Sequence, residues 1–118
     1  MQLRMDRLTT LGHRKRSVGK NKEGTPEVAY AEPTEVTGYS WSGGGHVQAA
    51  QYGKELPYVR NIRLAVEYTA VVQDGVRHYH LDGGPDIVEL DRMVIDGLEY
   101  EIRAIKPYRY LELEAVQV

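Results

Sequence analysis

Hydrophobic and polar positions alternate along much of this chain, and the alternation is cleanest in its last third, residues 91–118. Leu98, Tyr100, Ile102 and Ala104 alternate with Glu99, Glu101 and Arg103, the period of two that a half-buried β-strand requires. Upstream, Met93-Val94-Ile95 runs into Asp96-Gly97, a dipeptide suited to the two positive φ angles of a type I′ hairpin turn. That turn sets a register, with Ile95 opposite Leu98 and Met93 opposite Tyr100 on the core side. On the other side Val94 faces Glu99 and Arg92 faces Glu101, an opposite-charge pair worth about 0.2–1 kcal/mol. Lys106-Pro107-Tyr108 is expected to break the strand. Leu111 and Leu113 then alternate with Tyr110, Glu112 and Glu114, and the two glutamates are expected to stay in water.

A second run, residues 61–73, reads as the longest strand. Ile62, Leu64, Val66, Tyr68, Ala70 and Val72 share one face, and Arg63, Glu67, Thr69 and Gln73 the other. Asp74-Gly75 is another hairpin turn. It places Val72 opposite Arg77, Ala70 opposite Tyr79 and Tyr68 opposite Leu81, so Tyr79 and Leu81 join the core while His78 and His80 fall on the polar face. Residues 82–86 read as a turn, and residues 87–90 as a short strand or strand extension.

The first half is less regular. Residues 3–11 fit either a strand around 7–11 or a short helix. His13-Arg14-Lys15-Arg16 and the Gly/Lys-rich stretch after it read as an exposed basic loop at a hairpin tip. Pro26 and Pro33 exclude a long central strand from residues 25–39. In the β-rich residues 35–41, Val36 is opposite in phase to Tyr39 and Trp41, and Gly38 marks a bulge or a close backbone approach. Ser42-Gly43-Gly44-Gly45 reads as a mobile loop tip ahead of residues 46–51. Short strands between turns, with no long helix and no repeat, indicate an all-β fold: a small antiparallel β-barrel or sandwich with long loops and little helix, in one domain over residues 1–118.

Composition sharpens this outline. The 118 residues suit one domain burying roughly two-thirds of its unfolded surface. Nine Tyr, one Trp and no Phe favour surfaces where a ring packs and its polar end stays wet. The absence of Cys excludes disulfides and thiolate metal sites. The longest apolar run is far below the ~20 residues of a membrane helix, so synthesis in the cytoplasm and no membrane partner are expected. The net charge of −2 is uneven. Residues 1–24 carry seven Lys/Arg against two acids, and residues 25–118 carry eight against fifteen. A basic segment on an acidic body suits nucleic acid or the acidic face of another copy.

Candidate chemistry is sparse. There is no Cys nucleophile and no Gly-x-Ser-x-Gly elbow, and Ser occurs only at positions 17, 40 and 42. The triple glycine lacks the Lys-Ser/Thr that would complete a phosphate loop. His78 and His80 lie about 7 Å apart on one strand face, a spacing metal sites use. Asp82, Asp86 or His46 could add a third ligand, but the wider spacing of known motifs is absent. No catalytic residue, metal or cofactor is expected.

The segment from Leu90-Asp91-Arg92 through Asp96-Gly97-Leu98-Glu99-Tyr100-Glu101-Ile102, with its Tyr-rich turn and Leu-Glu-Leu-Glu strand, resembles the ending of tailed-bacteriophage (or prophage) head–tail connector proteins of the head-closure, or stopper, type. Met5-Asp6-Arg7-Leu8-Thr9 looks like their opening strand, and Tyr52-Gly53-Lys54 is similar to a motif ahead of their central strand. Thr37-Gly38-Tyr39-Ser40-Trp41 is similar to a stretch of related minor structural proteins. These patterns cover about half the chain. The resemblance implies a structural virion protein of the phage neck, made in the host bacterial cytoplasm. It would form a homo-oligomeric ring, hexameric or dodecameric, between the portal or adaptor and the tail-terminator or tail-tube protein, with packaged double-stranded DNA passing through. Residues 40–51, with Trp41, Gly43, Gly44, Gly45 and His46, or residues 73–85 would be mobile loops closing the channel. Arg14, Lys15, Arg16, Tyr52, Tyr58, Tyr108 and Tyr110 would contact neighbouring subunits. The alternatives are a small β-barrel nucleic-acid-binding module, with Trp41 and tyrosines as stacking platforms, and a tail-completion subunit of similar fold.

Overall fold

A computed structural model describes residues 8–118. Its strands are β1 (Thr9–Arg14), β2 (Arg16–Lys20), β3 (Pro26–Tyr30), β4 (Thr34–Ser42), β5 (Val59–Leu64), β6 (Tyr68–Gln73), β7 (Val76–Leu81), β8 (Asp86–Ile87), β9 (Arg92–Ile95), β10 (Leu98–Pro107) and β11 (Leu111–Gln117). Helix α1 (Gly45–Tyr52) and a 3₁₀ turn (Gly53–Tyr58) join β4 to β5. Six strands close an antiparallel barrel in the order β1–β4–β5–β11–β10–β9, while β2–β3 and β6–β7–β8 form two small separate sheets. The fold is all-β with a closed barrel, as the alternation indicates. The opening-strand expectation for residues 5–7, and any element at residues 3–7, lie outside the described residues.

Inward side chains fill the barrel. Ile62, Leu64, Met93, Ile102, Leu111 and Leu113 are fully buried, each worth about 1.5–3 kcal/mol relative to exposure. Tyr79, Leu81 and Ile87 from the three-stranded sheet belong to the same core, so that sheet is anchored on the barrel by its inner end. Both hairpin registers read from the Asp-Gly turns are found: Val72↔Arg77, Ala70↔Tyr79 and Tyr68↔Leu81, then Ile95↔Leu98 and Met93↔Tyr100. Gly38 is a close approach, because a Cβ there would collide with the Arg63 carbonyl oxygen across the β4–β5 ladder.

Several expectations are corrected. Residues 61–73 are not one strand: the chain leaves the barrel after Leu64, and Ala65 donates to Thr37 O and Glu67 accepts from Asp82, both at 2.9 Å. Residues 13–16 are not an exposed loop but the end of β1 and the start of β2, with His13 buried. Residues 40–51 are not a loop, since β4 runs through Ser42 and α1 begins at Gly45. Residues 73–85 hold the last residue of β6, the Asp74-Gly75 turn, β7 and the turn after it. In β10 the register shifts between Ile102 and Ala104, so one extra residue reverses the facing. Ile105, opposite Leu113, takes the inward place expected of Ala104. The strand does end within Lys106-Pro107-Tyr108, after Pro107, as expected.

Candidate functional site

The outer faces of β4, β5, β11 and β10 form a continuous polar ladder. Tyr39 pairs with Arg63, which pairs with Glu112, which pairs with Lys106; Asn61 pairs with Glu114 one step along. The Arg63 guanidinium lies 5.7 Å from the Tyr39 ring centroid and 5.6 Å from that of Trp41. It donates to Glu112 Oε2 at 2.8 Å and to the Tyr39 hydroxyl at 3.0 Å. Each cation–π contact at such a site is worth about 0.5–1 kcal/mol.

Helix α1 covers the next rung. Its start is set by glycines: Gly43 donates to Val59 O at 2.9 Å and has no room for a Cβ against Val59, and Gly45 adopts φ +82°. Gln48 and Tyr52, one turn apart, face the barrel. Gln48 Nε2 donates to Asn61 Oδ1 at 2.6 Å, and the Tyr52 hydroxyl to Glu114 Oε1 at 2.7 Å. Lys106 Nζ meets Glu114 Oε2 at 2.7 Å. Glu114 is only 3% exposed. Burial alone would raise its pKa, but hydrogen bonds from Lys106, Tyr52 and Gln48 outweigh this and hold it below the usual carboxylate range. The Tyr52 phenol is driven well above its ordinary value by burial and by the Glu114 charge. Lys106 is raised chiefly by its bond to Glu114. Glu112 and Glu114 are therefore not wet, because α1 and the ladder cations enclose them.

Trp41, Gly44, Gly45 and His46, four of the five residues expected at a gating loop, line one cleft of about 410 Å³ between α1 and the ladder. Gly43 is spent on the turn instead. The cleft carries Glu112 and Glu114 with Lys106, so it is no pure cation surface for a polyanion. Among the described residues no set of three His, Cys, Asp or Glu has the arrangement to hold a metal ion.

The expected subunit contacts are dispersed. Tyr52 is interior, so it cannot be a surface contact. Tyr58 and Tyr108 are exposed, and Tyr110 is half-buried with Arg109 over its ring. Arg14 bonds Glu99 at 2.8 Å, Ala31 O at 2.8 Å and Tyr30 O at 3.1 Å. Lys15 Nζ lies 3.2 Å from Asp86 and 3.6 Å from Asp91. Both cations clamp the root of the β2–β3 hairpin. Arg92, opposite Glu101 in register, reaches diagonally to Glu99 at 3.5 Å and stacks over Tyr30 at 4.0 Å.

Asp91 is the hub of that root. It is 1% exposed and meets His13 Nε2 at 2.8 Å. It also accepts the backbone N–H of Arg16 at 3.0 Å and of Val88 at 3.1 Å. Beside it, Asp86 gathers His78 Nδ1 at 2.5 Å, His80 Nδ1 at 3.1 Å and Lys15. Burial works against the Asp86 charge, yet its bonds to His78 and Lys15 lower its pKa overall. Sequence reasoning missed this junction and Leu90, a non-glycine residue at φ +76°. Nothing local marks His13 for burial, because it opens the basic run His13-Arg14-Lys15-Arg16.

Two ribbons project from this junction. Val18 and Val28 lie directly opposite each other in β2–β3 and are 57% and 46% exposed. At the outer end of β6–β7, Val72 and Val76 are also exposed. Among the described residues no helix is long and apolar enough to cross a membrane. Compared with models of protein families and with curated proteins, the chain matches neither a family nor a curated relative.

Proposed function

We propose that this protein is a structural subunit of a tailed-phage neck, assembling into a ring between the portal or adaptor and the tail and helping to retain packaged DNA. The observation that carries the reading is the pairing of a closed barrel with a well-buried core and two projecting hairpins that carry exposed valines, Val18 opposite Val28 in β2–β3 and Val72 and Val76 at the end of β6–β7. Isolated two-stranded ribbons are marginal in water, and exposed apolar patches mark interaction surfaces. The ribbons also enlarge the molecule: its radius of gyration is 14.8 Å, against about 13 Å for a compact chain of this size. The resemblance of the closing strands to head-closure proteins supplies the biological setting.

The nucleic-acid alternative draws on Trp41 beside Arg63. It is weakened by the two carboxylates in the same cleft, which repel phosphate. Microscopy of particles from phage lacking this gene separates the readings. Tailless heads that leak DNA, restored by the gene in trans, are the expected result. Intact infectious particles would refute the neck role. A salt-sensitive gel shift with single-stranded oligonucleotides at low micromolar protein would favour the alternative.

A further inference from the structure

We infer that the junction from which the two ribbons project is an acid-sensitive latch, in which protonation of His78 and His80 takes the Asp86 carboxylate from Lys15 and frees the root of the β2–β3 ribbon from the three-stranded sheet; this does not depend on the neck role. Three of the chain's four histidines meet two carboxylates and one ammonium there. Lys15 lies between β1 and β2, at the ribbon's root, and its Nζ reaches Asp86 Oδ2 on β8 at 3.2 Å. That bond ties the root to the sheet.

His78 and His80 share one face of β7 because they are two residues apart on a strand. Register puts Asp86 directly opposite His80, and its carboxylate meets both rings: His78 Nδ1 lies 2.5 Å from Oδ2 and His80 Nδ1 3.1 Å from Oδ1. The ring centroids are 6.3 Å apart. Their β6 neighbours are uncharged, Val71 opposite His78 and Thr69 opposite His80. Arg77 alternates onto the other face of β7, where it lines a groove with Glu89. Arg14 and Arg92 turn to Glu99, and Arg16 gives its backbone N–H to Asp91. Asp91 lies 3.6 Å from Lys15 Nζ and is held by His13 and by the N–H groups of Arg16 and Val88. The charges facing the imidazole pair are therefore Asp86 and Lys15, with Asp91 and His13 behind them.

Imidazole is the side chain that changes charge between about pH 5 and 8. Burial opposes the Asp86 charge, but its bonds to His78 and Lys15 lower its pKa overall, so it stays ionised across that range. While both rings are neutral, the Lys15 ammonium balances Asp86. Once both are charged, three cations share one carboxylate and repel one another. Lys15 is the partner that leaves. Its side chain is 39% exposed on a flexible stem, so its charge returns to water or turns to Asp91, and either movement breaks the link to β8. The β7–β8 contact is kept, because an imidazolium bonds a carboxylate more strongly than a neutral ring does.

Amide hydrogen exchange of the full chain, followed by NMR at about pH 7.5 and about pH 5.5 and corrected for intrinsic rates, tests the latch across the imidazole range. The Arg16 N–H, bonded to Asp91, and the Ala31 N–H, bonded to Lys15 O, report the root. The Leu81 N–H, bonded to Pro85 O, reports the sheet. Root protection should fall about threefold in acid, the scale of one part-exposed ion pair, while Leu81 and the barrel amides keep theirs. Lys15→Met should show the low root protection at both pH values. His78→Gln combined with His80→Gln should show the high protection at both, and His80→Gln alone, at a side chain 44% exposed, should lessen the fall. A fall that survives both histidine replacements would belong to His13 and overturn the inference. Root protection indifferent to pH would overturn it too, as would Lys15→Met matching the parent near neutral pH, or a loss shared equally by sheet and barrel.

Discussion

The outer face of β11 and the outer reaches of the β2–β3 ribbon carry similarly simple strand patterns yet meet opposite fates. Glu112 and Glu114 alternate with leucines as a wet face would, and they are buried; Val18 and Val28 are apolar, and they are exposed. Alternation decides which residues share a face. Whether that face meets water depends on what a distant segment lays over it. On β11 the cover is α1 with its Gln48 and Tyr52, plus Lys106 and Arg63 from the flanking strands. On the ribbon the chain itself provides none.

The largest expected break in this contrast comes from Glu114→Ala. Removing one member of a buried charged cluster leaves the Tyr52 hydroxyl and the Lys106 ammonium without their acceptor, a loss of about 3 kcal/mol. Lys106 remains partly solvated, which keeps the figure at the lower end of the range for buried pairs. Urea unfolding should show it as a lowered midpoint. The double variant Val18→Ser, Val28→Ser should stay within about 0.5 kcal/mol of the parent, because the valines touch little in the single chain. A ribbon variant costing as much as Glu114→Ala would mean that the ribbon is covered after all.

Gly38→Ala and Gly19→Ala sharpen the same contrast on a smaller scale. A Cβ at Gly38 meets the Arg63 carbonyl, whereas one at Gly19 meets nothing within 4 Å. The first should lose about 1–3 kcal/mol by overpacking. The second should be near neutral, and melting temperatures would tell them apart.

The pH dependence should come from the covered side and from the junction at the foot of the ribbons. Glu114 and Asp86 have lowered pKa values in the fold, so their contribution is complete above the ordinary carboxylate range and is lost as pH falls through the folded values. Lys106 is raised, so its contribution is complete below about 10.4 and is lost as pH rises through its folded value. Tyr52, also raised, favours the neutral phenol, and its contribution shrinks above about pH 10 as the unfolded chain ionises first. Melting temperature against pH should therefore fall at both ends. Tyr52→Phe should lessen the alkaline loss; an unchanged alkaline limb would dissociate Tyr52 from it.

Both Asp-Gly hairpins were legible in the sequence to the individual residue pair, because a two-residue turn leaves no freedom of register. Closure of a barrel was legible only as a class. The bulge at Arg103 was hidden, since Ala104 fits either face and nothing local marks the extra residue. Helix α1 was hidden by the glycines ahead of it, which read as a loop although they serve as its sharp entry. Of the candidate site, Trp41, Gly44, Gly45 and His46 were recognisable as neighbours because they lie close together in the chain. The Asp91 junction was not, because His13 and Asp91 are 78 positions apart and only the β1–β9 pairing brings them together.

The smallest expected effect tests what the strained Leu90 contributes to the stability of the single chain. Leu90 sits at φ +76° with its side chain 40% exposed, so the single chain gains little packing from it. Leu90→Gly relieves the clash of a side chain at positive φ, roughly 1–2 kcal/mol, against the roughly 0.5–1 kcal/mol of backbone entropy that glycine costs elsewhere. The net expectation is a stability unchanged or raised by up to about 1 kcal/mol, read by urea unfolding. A clear loss of stability would show that Leu90 packs within the subunit, and it would then belong with the covered face of β11 instead of with the uncovered ribbons.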